Sequence, residues 1–315
     1  MIDLIGLGSA IVDFAPTNLG APLSDVKAFV PFAGGAVANL LVAASRLGLK
    51  TRFLGCVGDD QFGIFILRDF EREGVDISSV KRVSGVATGI AFYTVDKEGE
   101  RHYLFYRFPG YSDPESRLRP DDIRADYVAG AKAIHLSEAL LRGRASREAV
   151  FRALELAEEY GVTVSYDPNV RPALWGSLEE FSEVQEAVLA FADIFLSTTD
   201  EAMLLTDTGS TDEAIERISR LGPSTIVIRQ KEHYRVVAPN LESEIPVFKV
   251  RAVDTSGAGD AFSGGFLTGL LKGWPLERAV RLGASVAALK VMEAGTRKGL
   301  PHMEKALKFI EERSA

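Results

Sequence analysis

The sequence predicts an α/β fold, with a mostly parallel sheet covered by helices on both faces and a small β flap attached. Three observations carry this. Short apolar runs alternate with amphipathic segments of helical period along most of the 315 residues. The runs are apolar at nearly every position, as in strands buried on both faces. Two regions, around 11–32 and 85–106, break the rhythm with extended, alternating patterns and little helix between them.

Taken in order, the run at 4–7 reads as the first strand and 11–32 as the first half of the flap. An amphipathic helix at 36–47, a strand at 51–57 and a helix at 62–73 follow. In the second flap region, "GIAFYTVDKEGERHYLFYR" reads as a hairpin turning at Glu98-Gly99. The strand–helix alternation then resumes, with strands at 133–136, 163–166, 194–196 and 225–228 and helices at 146–160 and 211–221. Antiparallel strands appended to a parallel sheet suit a lid or an interface. No linker, repeat or low-complexity segment interrupts the pattern, so residues 1–315 read as one domain with its flap.

Composition narrows the classes. The chain is 46% hydrophobic and 25% charged, an ordinary globular balance. Its net charge of −8 and isoelectric point near 5.2 argue against a nucleic-acid surface. The single Cys56 has no partner for an internal disulfide, which fits a reducing cytoplasm. The opening "MIDLIGLGSAIVDF" lacks a basic start and carries Asp3 and Asp13, unlike a signal peptide. No apolar run approaches the ~18 residues of a membrane span. His102, His135, His233 and His302 are too scattered to form a metal cluster.

The chemistry concentrates in "DTSGAGDAFSGGF", which starts at Asp254. Glycines placed between two carboxylates, ahead of an apolar helix, indicate a sharp turn feeding a helix N-terminus. Unpaired N–H groups there converge on one point and suit an anion, phosphate above all. Asp260 then stands beside a phosphate, where a carboxylate needs a task; a plain helix cap is the alternative. A second glycine turn, in "FAGGAVANLLVAASRLG" from Phe32, opens another helix. It is neither a dinucleotide fingerprint nor a Walker A loop, because G-x-G-x-x-G and Gly-Lys-Ser/Thr are both missing.

Together with "CVGDDQFG" at 56–63 and "SYDPNVRPALW" at 165–175, these motifs resemble the ribokinase-like (PfkB) carbohydrate kinases. The resemblance runs from residue 2 to about residue 301, and "FYRFPG" at 105–110 leans towards fructokinases. It implies a three-layer α/β/α fold whose β strands close as a lid, and transfer of the ATP γ-phosphoryl group to a sugar hydroxyl. Gly257, Ala258, Gly259 and Asp260 then form the catalytic turn. The N–H groups of Ala258, Gly259 and Asp260 make the anion hole, and Asp260 is the general base. Asp13, Gly34, Gly35 and Asn39 match sugar-binding positions. Arg107 from the lid and Arg171 from the loop after a strand join them, with surface ion pairs as the alternative for both arginines. Asp167 and Asn169 shape that loop and belong to the same group.

The resemblance assigns Thr198, Arg229, Lys231 and Ser285 to the nucleotide. Glu201 aligns with a glutamate that organises Mg²⁺ through water, in "TTDE" where the family has N-x-x-E. Asp254 and Ser256 match a monovalent-cation site, which makes K⁺ a further candidate. The loop "RQKEHYRVV" at 229–237 lacks the two glycines usual beside the nucleotide; either Lys231 and Tyr234 stand in their places and crowd or cover it, or the loop has shifted, and Lys231 could add a phosphate contact. The reading is thus a cytoplasmic ATP- and Mg²⁺-dependent sugar kinase, first of fructose to fructose 6-phosphate. It would bind neither nucleic acid nor membrane and would pair as a homodimer through the lid. A 2-keto-3-deoxygluconate kinase is the alternative, because an arginine pair suits a carboxylate. An inert sugar- or nucleotide-binding protein on the same fold stays open. A nucleoside kinase is disfavoured, since no aromatic cluster near Asp13 offers base stacking.

Overall fold

The structure is a computed structural model and describes residues 1–18, 20–95, 101–106 and 113–314. Its strands are β1 (Leu4–Leu7), β2 (Ile11–Pro16), β3 (Phe29–Gly34), β4 (Thr51–Gly58), β5 (Val75–Asp76), β6 (Val80–Val83) and β7 (Ile90–Val95). They continue as β8 (Arg101–Tyr106), β9 (Ala133–Leu136), β10 (Thr163–Tyr166), β11 (Ile194–Thr198), β12 (Thr225–Arg229), β13 (His233–Ala238) and β14 (Leu241–Pro246). The helices are α1 (Ala36–Arg46), α2 (Gln61–Arg72), α3 (Ala125–Val128), α4 (Arg144–Tyr160) and α5 (Leu178–Leu189). After them come α6 (Thr199–Thr206), α7 (Thr211–Leu221), α8 (Ala258–Leu271), α9 (Leu276–Val291) and α10 (Met303–Ser314).

The main sheet runs β14-β13-β12-β11-β10-β9-β1-β4-β5, with β6 also paired to β4. It is parallel from β5 through β12, and β13 and β14 close one edge antiparallel. Successive strand residues feed opposite faces, which explains the continuous apolar runs. Phe53 joins a core with Leu40, Phe70, Phe262 and Phe266, while its neighbour Leu54 joins the other core with Ile134, Leu154 and Phe195. Helices therefore cover both faces.

Helix α8 lies close to its neighbours because its glycines remove side chains at the contact. A Cβ on Gly264 would meet the Leu40 carbonyl oxygen of α1 at 2.8 Å, and one on Gly265 would meet Gly283 Cα of α9 at 2.8 Å. The apolar stretch following Asp260 thus packs on two sides.

The flap is a separate four-stranded sheet in the order β3-β2-β7-β8. Strand β2 pairs antiparallel with β3 and parallel with β7, and β7 pairs antiparallel with β8. The turn expected at Glu98-Gly99 lies outside the described residues. The pattern reading left several elements uncommitted, among them α5, α6, α10 and the β13–β14 hairpin. Elsewhere the helices and main-sheet strands differ by at most two residues at their ends, as fraying termini do, and the second flap region begins five residues later than read, at Ile90.

Candidate active site

Helix α8 starts from Gly257, whose φ of 66° places it in the left-handed region that glycine adopts without strain. Asp260 is therefore not the cap; it is the third residue of the helix. The intrahelical ladder begins with the Ala261 N–H donating to the Gly257 carbonyl at 2.8 Å. The Ala258 N–H closes a turn on the Thr255 carbonyl at 3.1 Å, which corrects its expected place in the anion hole. The N–H groups of Gly259 and Asp260 remain in the first turn, ahead of the ladder.

The Asp260 carboxylate points across to α1. Asn39 Nδ2 donates to Asp260 Oδ2 at 2.8 Å, and Asn39 Oδ1 accepts from Arg297 Nε at 2.8 Å. The guanidinium fixes which end of the amide faces Asp260, because only the carbonyl end can accept from it. Arg297 Nη1 in turn pairs with Asp69 on α2. Asp260 keeps some exposed surface towards the cleft, yet protein walls in its carboxyl. That burial, with Asp167 nearby, pushes its pKa up to about 6 against the Asn39 hydrogen bond and the Arg229 and Arg171 charges. A carboxylate so placed takes a proton readily near neutral pH.

The second glycine pair makes room for this arrangement. Gly35, the residue before α1, has φ 105°, and a Cβ there would sit 2.3 Å from the Ser9 carbonyl oxygen. A Cβ on Gly34 would lie 2.1 Å from Asp13 Oδ2, so β3 must carry glycine where the β2 carboxylate lies. Asp13 is buried in the flap at 3% exposure and lines a cleft of about 200 Å³. Asn39, Gly35, Asn169, Arg171 and the turn Gly257 to Asp260 line the same cleft. Arg107 lies outside the described residues. Tyr103 and Phe105 of β8, stacked at 5.3 Å, also face this cleft, so the expectation of no aromatic pair near Asp13 is corrected.

Pattern reading missed Glu138 and Arg142, which line the cleft opposite the flap. Glu138 is 1% exposed; it accepts from the Arg171 N–H at 3.0 Å and from Trp175 Nε1 at 2.6 Å, and it lies 3.7 Å from Arg142 Nε. Burial raises its pKa above the usual carboxylate range, against the pull of Arg142 and of these hydrogen bonds. The Arg171 side chain donates to the Val170 carbonyl at 2.7 Å. The loop after β10 is therefore tied back to the end of β9, and two arginines flank its mouth.

Below the anion-hole turn, Arg229 at the end of β12 forms a two-pronged pair with Asp167 at 2.6 and 3.2 Å and lies 3.7 Å from Glu201. Ser263 of α8 also donates to Asp167, at 3.1 Å. Asp167, expected among the sugar-binding residues, is thus committed to a junction of β10, β12 and α8. A Cβ on Gly259 would meet the Arg229 guanidinium carbon at 3.6 Å, which places this charge against the turn. Glu201 forms a capping box with Thr198: Glu201 Oε2 accepts from the Thr198 N–H at 3.0 Å and its hydroxyl at 2.9 Å, and Oε1 accepts from the Val170 N–H at 3.0 Å. The threonine in "TTDE" caps α6.

Two nucleotide expectations change, those for Tyr234 and Ser285. Lys231 is exposed in the turn between β12 and β13. Tyr234 is folded inward, stacked on Phe262 at 4.3 Å, so it covers no ligand. Ser285 is fully buried in α9, and its hydroxyl donates to the Leu282 carbonyl at 2.8 Å, so it presents nothing to a nucleotide. Among the described residues no three His, Cys, Asp or Glu side chains converge as a metal cage.

Comparison with known proteins matches residues 1–303 to the pfkB family carbohydrate kinase description. The chain belongs to the PfkB family of carbohydrate kinases. Fructokinase-1 of Zea mays is 32% identical to this PfkB kinase over 98% of the chain and 97% of the relative. The 5-dehydro-2-deoxygluconokinase of Geobacillus thermodenitrificans is 30% identical over 98% and 93%. Among solved structures, a fructokinase from Vibrio cholerae with fructose, ADP and calcium superimposes with a TM-score of 0.89 at 27% identity, covering 98% of this chain and 99% of that one. A double mutant of that fructokinase, with fructose, ADP and a potassium ion, gives the same score and identity, covering 98% of each chain. The fold is ribokinase-like.

Proposed function

We propose that this PfkB kinase transfers the γ-phosphoryl group of ATP to a sugar hydroxyl, first the 6-hydroxyl of fructose. The observation that carries the reading is Asp260: a carboxyl of raised proton affinity, aimed by Asn39, in a cleft that also holds Asp13 and the first turn of α8. Asp13 and Asn39 would hold the sugar by its hydroxyls, Asn39 through whatever amide capacity Asp260 and Arg297 leave it. The acceptor oxygen would attack the γ-phosphorus as its proton passes to Asp260 Oδ, and the bond to ADP would break. Gly259 and Asp260 N–H groups would receive charge on the transferring oxygens, with Arg229 behind them. Glu201 would hold, through water, a Mg²⁺ that arrives on the nucleotide and would supply neutralisation of phosphate charge.

A second reading, a 2-keto-3-deoxygluconate kinase, has its own support. Arg142 and Arg171 line the same cleft, and two guanidinium groups suit a carboxylate better than a neutral ketose. ADP release measured over fructose, 2-keto-3-deoxygluconate, ribose, adenosine and tagatose separates the readings. Fructose turnover with little on the keto-acid supports the first; the reverse order overturns it. On the preferred keto-acid, Arg171→Ala should raise KM at least about tenfold, the loss of a charge-assisted bond. On fructose the rise should be smaller. The flap would also serve as the dimer face, because Val30, Leu104 and Tyr106 are 45%, 46% and 48% exposed on it. A chain that sediments as a monomer at micromolar concentration would remove that assignment.

A further inference from the structure

The loop leading into the anion-hole turn holds a positive charge that phosphoryl transfer does not call for. Lys290, in the last turn of α9, is fully buried, at 0% exposure. Its Nζ donates to the Asp254 main-chain carbonyl at 2.7 Å and lies 3.9 Å from Asp254 Oδ1. Asp254 is itself buried. Its Oδ1 accepts from the Ser256 N–H at 3.0 Å and from the Ser256 hydroxyl, and its Oδ2 accepts from the Gly295 N–H at 2.7 Å. The N–H groups of Val253 and Asp254 donate to the Val291 carbonyl at 2.7 and 3.1 Å. One carboxylate thus ties the start of the loop to the end of α9 and to the Gly295 turn.

A lysine serving only the dipole of its helix would extend its ammonium to water along an apolar stem. Lys290 does the opposite, and a buried ammonium persists only where it is paired and hydrogen-bonded. Its partner is the residue that the family resemblance gives to a monovalent cation. A potassium ion bound there would share one carboxylate with an ammonium that cannot reach solvent, and two like charges in such surroundings repel. The residues present do not suit a potassium ion.

We infer that Lys290 is a built-in cation. It holds the loop from Asp254 to Gly257, and with it the turn that starts α8, where a monovalent ion would otherwise have to act. The kinase accordingly needs no added potassium. The inference rests on kinase activity but not on the choice of sugar.

The test compares the full-length wild type with Lys290→Met, a variant of similar volume without the charge. Each is assayed in potassium chloride and in choline chloride at equal ionic strength, on whichever sugar turns over. Wild-type turnover should differ less than about twofold between the two salts, whereas Lys290→Met in choline chloride should fall at least about tenfold below wild type. A second measurement needs no substrate: the wild-type Tm should be the same in both salts, because nothing binds the native state selectively. A wild type stimulated tenfold by potassium, or stabilised by potassium over choline, overturns the inference. So does a Lys290→Met enzyme with full turnover in choline chloride. Should the Met variant not fold, the wild-type salt comparison still decides. Should no sugar turn over, the acceptor reading fails and the Tm comparison alone decides on Lys290.

Discussion

Two carboxylates lie on either side of the turn that begins α8, Asp167 buried and Asp260 with some surface in the cleft, and their surroundings differ. Asp167 takes both prongs of the Arg229 guanidinium directly. Asp260 accepts from the amide of Asn39, with Arg297 hydrogen-bonded on the far end of that amide. Direct contact makes a structural ion pair. Burial, with Asp167 nearby, pushes the pKa of the other carboxylate up to about 6, against the hydrogen bond from the Asn39 amide that orients it.

The largest test of this contrast removes the base itself. Asp260→Asn should lower kcat about 10²-fold or more with little change in KM for either substrate, read by steady-state kinetics. The matching change on the other side should act on stability instead. Arg229→Ala leaves Asp167 buried without its guanidinium, which costs about 3–5 kcal/mol. By calorimetry its Tm should drop roughly 5–10 °C. A Tm equal to wild type would dissolve the distinction between the two carboxylates.

A smaller effect is expected from the Asn39 amide. Asn39→Leu removes a hydrogen bond that lowers the Asp260 pKa, so kcat should fall roughly tenfold. The acid limb of its pH profile should move above the wild-type value of about 6. The wild-type limb itself should fall as pH drops through that value, since only the ionised carboxylate accepts a proton. An unmoved limb in Asn39→Leu would leave the amide no part in tuning the base.

The smallest effect is a gain. The folded-state pKa of Asp260 is raised, so protonated Asp260 contributes stability fully below the unfolded value of 3.8, and this is lost as pH rises through about 6. Asparagine does not ionise. Asp260→Asn should therefore melt roughly 2 °C higher than wild type at pH 8, with the gain vanishing near pH 4.

The apolar runs made the parallel sheet legible because a strand buried on both faces has no other pattern open to it. Phe53 and Leu54, feeding opposite cores, are an instance. Asp260, Asn39 and both glycine pairs were legible as well, because each sits in a local motif where a turn or a close approach dictates the residue. Arg297 and Glu138 were not. Their functions exist only across the fold, and an arginine in "GTRKGLP" or a glutamate in "LSEALL" reads as surface charge until its partners are known. Tyr234 and Ser285 misled for the same reason: alignment gives a position along the chain, while packing against Phe262 or bonding within α9 gives the direction. Tertiary context, not local propensity, decided these.

The hydrogen-bonded line from Asp69 through Arg297 and Asn39 to Asp260 joins residues separated by 228, 258 and 221 positions along the chain. Such separations bear on the order of events during synthesis. A ribosome that has released α1, the central strands and even the catalytic turn has still not delivered the arginine that orients the amide. The line stays incomplete until residue 297 emerges, and so does one core, which takes Leu300 and Ala306 from the end of the chain; the long-range closures are left for last.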